Sequence, residues 1–586
     1  MKKTIISAFI AIAILSGCDL ERFPYDSIAA EEVQNDPEAK IDVLLDGCYS
    51  QLRTVEEVTT RFGEYRGDLV RKDKPTTAGY RILFLFTRVE DNAEPNNYWN
   101  DCYKVIAQAS EIMKLVEEGK SADLDQKLGE AYFLRGWMYW NLCKMFGRPY
   151  YQNPETNLGV PIINGKPDDL TSYIYPDRST VKEVYEFVIN DFQKAESLLT
   201  KDQVIKPSKE GVWAMLAKIY AHMSGTFESP NPTYAQQSYE YANKVIQSGK
   251  YSLLSRENFM KSNELAPDDA TNTETIFASK VSYADRPTQA NQRDLIGGQY
   301  ARIQETGWAE VNATSIAIDL LNEVGTSDWR REYGDNSKIV DARAAFIVPD
   351  YDKDANGDYK RAFIFVANQY DESGTHNGFN TKTFDFESAT ANGELQSVKD
   401  PTDGKVYSVT PVDAANRKYS INYEGKTYQG YDDARILESV GHPKYYIYKL
   451  SMEGGGSAGV HTHSFRIATL ADMHLLRAEA NAKLGKYSEA LTDLNLIRER
   501  SLPGEGYDAL NASNAGDLIL KERALEFMFS GHRTYDLFRN GRPLHRNFPG
   551  WQTDPLRVVQ PTDNDIIMFI PQQQIAAWRG TLTQNP

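Results

Sequence analysis

Apolar residues recur at helical spacing over two long stretches of this chain and lose that spacing between them. From Glu130 to Gly147 the stripe runs Leu134, Trp137/Met138, Leu142 and Met145, the 3.6-residue period of one buried helix face. Gly147, with Pro149 two residues on, supplies a stop. Ser179 or Thr180 is placed to cap a second helix through Val184, Phe187, Val188, Phe192 and Leu198, since a short hydroxyl side chain accepts a free N–H of the first turn. The same reading predicts a helical pair at Val212–Met223 and Tyr234–Ile246. Another pair follows at Phe465–Leu484 and Tyr487–Arg500, joined by Gly485-Lys486, and a further helix at Asp517–Phe529.

The pairs share a grammar: a helix with small residues such as Ala478 and Ala480, a tight turn, then Tyr487-Ser488-Glu489-Ala490-Leu491. That resembles tetratricopeptide repeats, in which alanines let paired helices approach closely. Between the helical stretches, from about 250 to 463, the chain is rich in Gly, Asn, Asp, Thr and Tyr. Ala362–Val366 and Tyr445–Tyr448 read as short strands. Asn356-Gly357, Asn377-Gly378, Asn392-Gly393, Asp403-Gly404 and Glu424-Gly425 read as turns. A structureless run of that length does not suit a compact domain. The expectation is therefore a mainly α fold: a tetratricopeptide-like scaffold carrying an irregular, loop-rich capping subdomain with a few short strands. The expected divisions are 1–17, 18–249, 250–463 and 464–586.

Residues 1–17 read as a signal peptide. Lys2 and Lys3 precede an apolar run of 11 residues, Ile5–Leu15. As a helix it covers about 16 Å, against a bilayer core of about 30 Å, so it suits export and not anchoring. Leu15-Ser16-Gly17-Cys18 resembles a bacterial lipobox, which predicts cleavage before Cys18 and lipidation (palmitate) of its thiol. Cys48, Cys102 and Cys143 lie far apart within helical patterns and read as small buried hydrophobes. Acidic residues outnumber basic ones 82 to 65, a net charge of −17 over 586 residues. That argues against a nucleic-acid partner, whose phosphates call for Lys and Arg.

Candidate chemistry is sparse. Asp352, Asp354 and Asn356 open like a calcium loop, but Phe363 stands where the bidentate Glu belongs, so a solvated turn is the better reading and bound calcium the alternative. His461-Thr462-His463 lacks further metal ligands nearby, and no other cofactor is expected. Gly454–Gly459 lacks the ending of a phosphate loop. No nucleophile elbow or metalloprotease signature is present. Trp99, Trp137, Trp140 and Trp213 sit in helix stripes and read as core. Trp308 differs, lying in the polar loop Gln304-Glu305-Thr306-Gly307-Trp308-Ala309-Glu310 near Tyr300, Arg302 and Tyr283. An aromatic ring there suits stacking on a sugar face while polar neighbours hold hydroxyls. It suits equally well pinning the loop to the scaffold. Tyr80 and Arg81 form a second pair of this kind, and Arg286 and Arg293 a local basic patch.

Several segments together resemble the SusD/RagB family of surface lipoproteins. They are the lipobox followed by Leu20-Glu21-Arg22-Phe23-Pro24, Arg66-Gly67-Asp68, and Glu130–Arg135 through Phe146-Gly147. Further on come Arg466-Ile467-Ala468 through Leu475-Leu476-Arg477-Ala478-Glu479-Ala480 and Asn495-x-x-Arg498-x-Arg500. Glu522–Phe527, Gly531–Arg539, Phe569-Ile570-Pro571 and Gln584-Asn585-Pro586 complete the set, in family order. The resemblance implies four tetratricopeptide-like units plus a capping region, with 250–586 as one C-terminal family region. It implies an outer-membrane lipoprotein, anchored through Cys18 at the cell surface despite Asp19, that binds a glycan without catalysis. It also implies delivery of the ligand to a SusC-like TonB-dependent transporter for nutrient uptake. Peptide capture, a concealed glycoside hydrolase and a purely structural plug are the rival readings. Arg523, Glu526, Arg533 and Asp536 are expected to form buried charge pairs.

Overall fold

The computed structural model describes residues 37–72, 78–163, 174–282, 293–327, 334–439, 442–456, 459–549 and 557–586. Cys18, Tyr283 and Arg286 lie outside them. Helices α1 (Pro37–Glu64), α2 (Arg81–Leu85), α3 (Ala93–Leu115), α4 (Ala122–Phe146), α5 (Val181–Leu198), α6 (Lys209–Met223) and α7 (Pro232–Gln247) build the first half of the scaffold. The starts follow from local chemistry. Ser121 accepts the Leu124 N–H, Thr180 and Glu183 close a reciprocal capping box, and Asn231 precedes a Pro at the first helical position. Long helices pack pairwise, α1 on α3, α4 on α5 and α6 on α7. Trp99, Trp137 and Trp140 are buried in the core they share. Cys48, Cys102 and Cys143 are free and buried, and burial pushes the Cys48 and Cys143 thiols up to about 12.

The chain returns to the scaffold as a strand. The expected helix from Phe465 begins only at Leu470. Phe465–Thr469 instead pairs antiparallel with Thr275–Ser279, and the Thr469 hydroxyl caps the helix by accepting the Asp472 N–H. Leu470–Lys483 docks on α7 and on its own partner Tyr487–Ser501, and Ala515–Glu526 and Arg533–Arg539 follow. The approach of α1 to the turn before the last of these requires glycine. A Cβ on Gly63 would stand 1.8 Å from the Gly531 carbonyl oxygen. Thr534 donates to the Gly63 carbonyl at 2.7 Å across the same contact.

The inserted region holds more order than its composition suggests. Six antiparallel strands, β1 (Arg361–Tyr370), β2 (His376–Ala389), β3 (Leu395–Lys399), β4 (Val406–Asp413), β5 (Lys418–Tyr423) and β6 (Lys426–Ala434), close into a small barrel. Alternate residues Phe363, Phe365 and Ala367 point inward and meet Phe384, Val398, Tyr419 and Ile421. The β5–β6 hairpin turns at Glu424-Gly425, both at positive φ (51° and 78°), as a two-residue turn that matches strand twist requires. Asn377-Gly378 is not a turn: it pairs inside β2, and the chain reverses at Asp371–Thr375, where the Asp371 carboxylate accepts the N–H groups of Ser373 and Thr375. The barrel is tied to the scaffold by Arg417 on the Ser327 carbonyl (2.9 Å) and Tyr431 on Asp319 (2.9 Å).

Candidate functional site

Trp308 stands on a loop whose backbone is fixed at almost every step. Ile303 and Thr306 exchange N–H···O bonds at 2.8 and 2.9 Å, which forces Gln304 and Glu305 to φ 49° and 62°. Gly307 has φ 109°, and a Cβ there would stand 2.1 Å from the Ala301 oxygen and 2.8 Å from His461 Nε2. Only glycine meets both demands. The Trp308 and Ala309 N–H groups donate to the Gly298 carbonyl at 2.7 and 3.1 Å. The indole that emerges remains 47% exposed. Its Nε1 donates to Asp294 at 3.1 Å, and the Arg293 guanidinium lies 4.9 Å from the ring centre. An exposed aromatic held this firmly loses little entropy when a ligand stacks on it. Backbone strain of this kind clusters at ligand sites.

The neighbouring groups come from three parts of the chain. Val70–Lys72 pairs antiparallel with Val311–Ala313, so Arg71 and Lys72 point to opposite faces of a two-stranded ribbon. On the Trp308 side, Lys72 reaches Glu310 at 2.6 Å and lies 5.9 Å from the Tyr80 ring centre. Tyr80 reaches Gln299 at 3.5 Å, Gln299 donates to the Arg293 carbonyl at 3.3 Å, and Arg61 donates to the Asp294 carbonyl at 2.6 Å. Tyr80 and the Trp308 loop, far apart in sequence, are thus linked through the buried side chains of Gln299 and Lys72. On the opposite face Arg71 lines a cleft of about 230 Å³ between barrel and scaffold, together with Asp319, Asn368, Gln429, Tyr431 and Tyr445. That is below the usual ligand-pocket range of about 300–1,000 Å³.

The other predicted residues divide. Arg81 and Arg302 are exposed. Tyr300 is a correction: it is 0% exposed, its hydroxyl donates to the Phe529 carbonyl at 3.3 Å, and burial pushes its phenol well up. It sits in the short buried helix Ile296–Tyr300 and offers a ligand nothing. Asp294, Lys72 and Gln299 were missed, because only the tertiary fold carries them to Trp308. At the calcium-like turn, one Asp354 carboxylate oxygen accepts the N–H groups of Asn356 and Asp358 (2.8 and 3.0 Å), and Asp352 pairs with Lys360 at 2.9 Å. His461 and His463 are buried, and His461 Nε2 lies 2.8 Å from the Thr306 oxygen. Among the described residues no group of three or more His, Cys, Asp or Glu side chains is arranged to hold a metal. Nor is any helix among them long and apolar enough to cross a membrane.

The motif segments are mostly structural. Asp68 pairs with Arg533 at 3.0 Å, and Arg66 donates to the Ile566 carbonyl at 3.1 Å. Arg523 bridges Asp472 (2.9 Å) and Asp536 (2.8 Å), Arg539 holds Asp536 and Glu479, and Arg500 pairs with Glu526. Asn585 donates to the Phe146 and Met568 carbonyls at 2.8 and 2.6 Å, sealing the end of α4.

Comparison with known proteins agrees with this architecture. Residues 25–221 match a family model described as starch-binding associating with outer membrane, and residues 273–586 match the SusD family. The chain is 25% identical over 566 residues to the SusD-like protein P38 of Formosa agariphila, covering 91% of this chain and 90% of that one. A SusD superfamily crystal structure from Bacteroides thetaiotaomicron superposes with TM-score 0.67 at 22% identity, over 93% of this chain and 99% of that one. A SusD-like carbohydrate binding protein from Bacteroides vulgatus superposes with TM-score 0.58 at 14% identity, over 93% and 97%. With more than half of its length matched by one family model, and the helical scaffold in place, this chain belongs to the SusD family.

Proposed function

We propose that this protein is a non-catalytic glycan-binding lipoprotein of the outer membrane. In this reading Cys18 carries the lipid, and ligand passes to a SusC-like TonB-dependent transporter. The observation that carries the binding site is the indole of Trp308, half exposed and locked by its own loop. An apolar ring face stacks on the C–H face of a sugar. The polar groups against it, Arg293 and Asp294, are of the kind that orient hydroxyls. Family membership and the wording of the matched model, starch-binding and outer membrane, support the glycan and the location. The carboxylates next to the ring support binding over hydrolysis. Asp294 is engaged by the Trp308 indole and Glu310 by Lys72, whereas a glycosidase needs a carboxyl pair free to flank the scissile bond.

The test is calorimetry or affinity electrophoresis of the form lacking residues 1–18 against neutral and acidic polysaccharides and a casein digest. The reading expects reversible binding of a glycan, no cleavage, and loss of affinity in Trp308→Ala. Binding of peptides alone moves the protein to peptide capture. Release of reducing ends makes it a hydrolase.

A further inference from the structure

The centre of the helical scaffold holds a polar cavity of about 140 Å³, independent of the Trp308 surface. Five cations line it: Lys144, Lys218, Arg466, Arg523 and Arg539. Only two carboxylates do, Glu56 and Asp536. Three of the cations are paired, Lys218 with Asp472 (2.9 Å), Arg523 with Asp472 and Asp536, and Arg539 with Asp536 and Glu479. Lys144 and Arg466 have no carboxylate within 4 Å among the described residues. The Lys144 ammonium lies 4.1 Å from the Trp140 ring centre and 5.1 Å from that of Tyr535. Arg466 gives one arm to the carbonyls of Ser262 and Leu265, while its Nε has no hydrogen-bond partner. Both ring nitrogens of the buried His463, which also lines the cavity, lack a hydrogen-bond partner too.

Donors that are buried and unused cost free energy unless something accepts from them. The cavity lining carries excess positive charge, five cations to two carboxylates, inside a protein whose net charge is −17, and His463, held neutral by burial, adds an N–H donor. Burial pushes Lys144 down to about 8 and the carboxyl of Glu56 up to about 7, against the attraction each exerts on the other's charge. The geometry points to a buried site for a small free oxyanion, of the phosphate or sulfate class, held by Lys144 with Arg466 and His463 in the centre of the scaffold. A second cavity of about 280 Å³, lined by Ser50, Arg53, Glu57 and His461, adjoins the first across Leu450, His463 and Phe465. It lies on the side where His461 touches the Trp308 loop.

The rival content is water, which 140 Å³ accommodates and which bridges buried polar groups well. Titration calorimetry of the form lacking residues 1–18 with inorganic phosphate and with sulfate, at pH 7, where Lys144 keeps its charge, and at constant ionic strength set with chloride, separates the two. The expected result is saturable binding of one oxyanion that chloride does not reproduce. Lys144→Met should weaken it at least ten-fold. Glu56→Gln should tighten it at least three-fold, because it removes the repelling carboxylate, an effect a merely structural residue would not produce. Absence of saturable binding in the unaltered protein means water alone and overturns the site. So does equal affinity in Lys144→Met, which places the anion on the surface. If Lys144→Met does not fold, Glu56→Gln decides alone, and unchanged or weaker binding in it overturns the proposal.

Discussion

The interior of the scaffold and the Trp308 loop treat polar chemistry in opposite ways. Around Asp472, Glu479, Asp536, Arg523 and Arg539 most charges meet their opposites at 2.5–2.9 Å on facing helices. At the loop, tight turns and backbone bonds hold an indole partly in water, and a guanidinium covers part of it. The contrast teaches which motifs to trust for function. The charge pattern that makes the family visible along the chain is largely internal and serves packing. The residue suited to a ligand belongs to no pattern and is marked by a glycine only the backbone needs.

The largest effect that sharpens this contrast is acid sensitivity. Burial opposes the charges on Asp472, Glu479 and Asp536, but Lys218, Arg523 and Arg539 outweigh it and hold all three carboxyls below their ordinary range. Such groups stabilise the fold above the unfolded value of about 4 and lose that stabilisation as pH falls through their folded values. Glu64 works the other way. Burial pushes it up to about 8, so its contribution is full below about 4.5 and disappears as pH rises toward 8. Denaturant unfolding as a function of pH should therefore show a maximum near about pH 5 with a steep acid limb. A flat profile from pH 3 to 8 would mean the buried network is not ionised as described.

Next in size, Asp536→Ala removes one of the two carboxylates held by each of Arg523 and Arg539, leaving Asp472 and Glu479, and should cost about 3 kcal/mol in urea unfolding. Phe365→Ala opens a hole in the barrel core and should cost about 3 kcal/mol. That loss should be local: limited proteolysis should cut within 361–434 while helical circular dichroism is unchanged. Loss of the scaffold signal together with the barrel would show that the two cores unfold as one. The smallest effect on stability is expected at the ligand surface. Trp308→Ala should change unfolding free energy by no more than about 0.5 kcal/mol, as for other exposed positions.

Much of the scaffold is legible in the sequence because its helices are long, capped by Ser, Thr or Asn, and carry apolar stripes through several turns. The Glu130–Gly147 stripe gives a helix ending at Phe146, one residue before the expected glycine. The barrel was legible only in part. Along Arg361–Tyr370 the strand pattern is weakened because Ala362 and Ile364 are buried as well as Phe363 and Phe365, whereas a strict two-residue period stands at Tyr419, Ile421 and Tyr423. The start at Phe465 misleads because its apolar residues continue the helical stripe, and only the pairing with Thr275–Ser279 makes it a strand. At the site, Trp308 stood out by its polar, glycine-containing surroundings. Tyr300 shared those surroundings, yet Gly297 serves close approach to the Leu450 backbone, and its ring turns into the core beside Tyr65 and Phe529.

The central claim is that Trp308 forms the glycan platform. The most direct measurement is the calorimetric affinity of the unaltered protein and of Trp308→Ala for the best glycan of a polysaccharide panel, with thermal unfolding of both proteins recorded alongside. The account predicts at least a ten-fold loss of affinity, about 1.4 kcal/mol, with no change in Tm. Equal affinity in the two proteins would contradict it and leave Trp308 as a residue that only pins its loop.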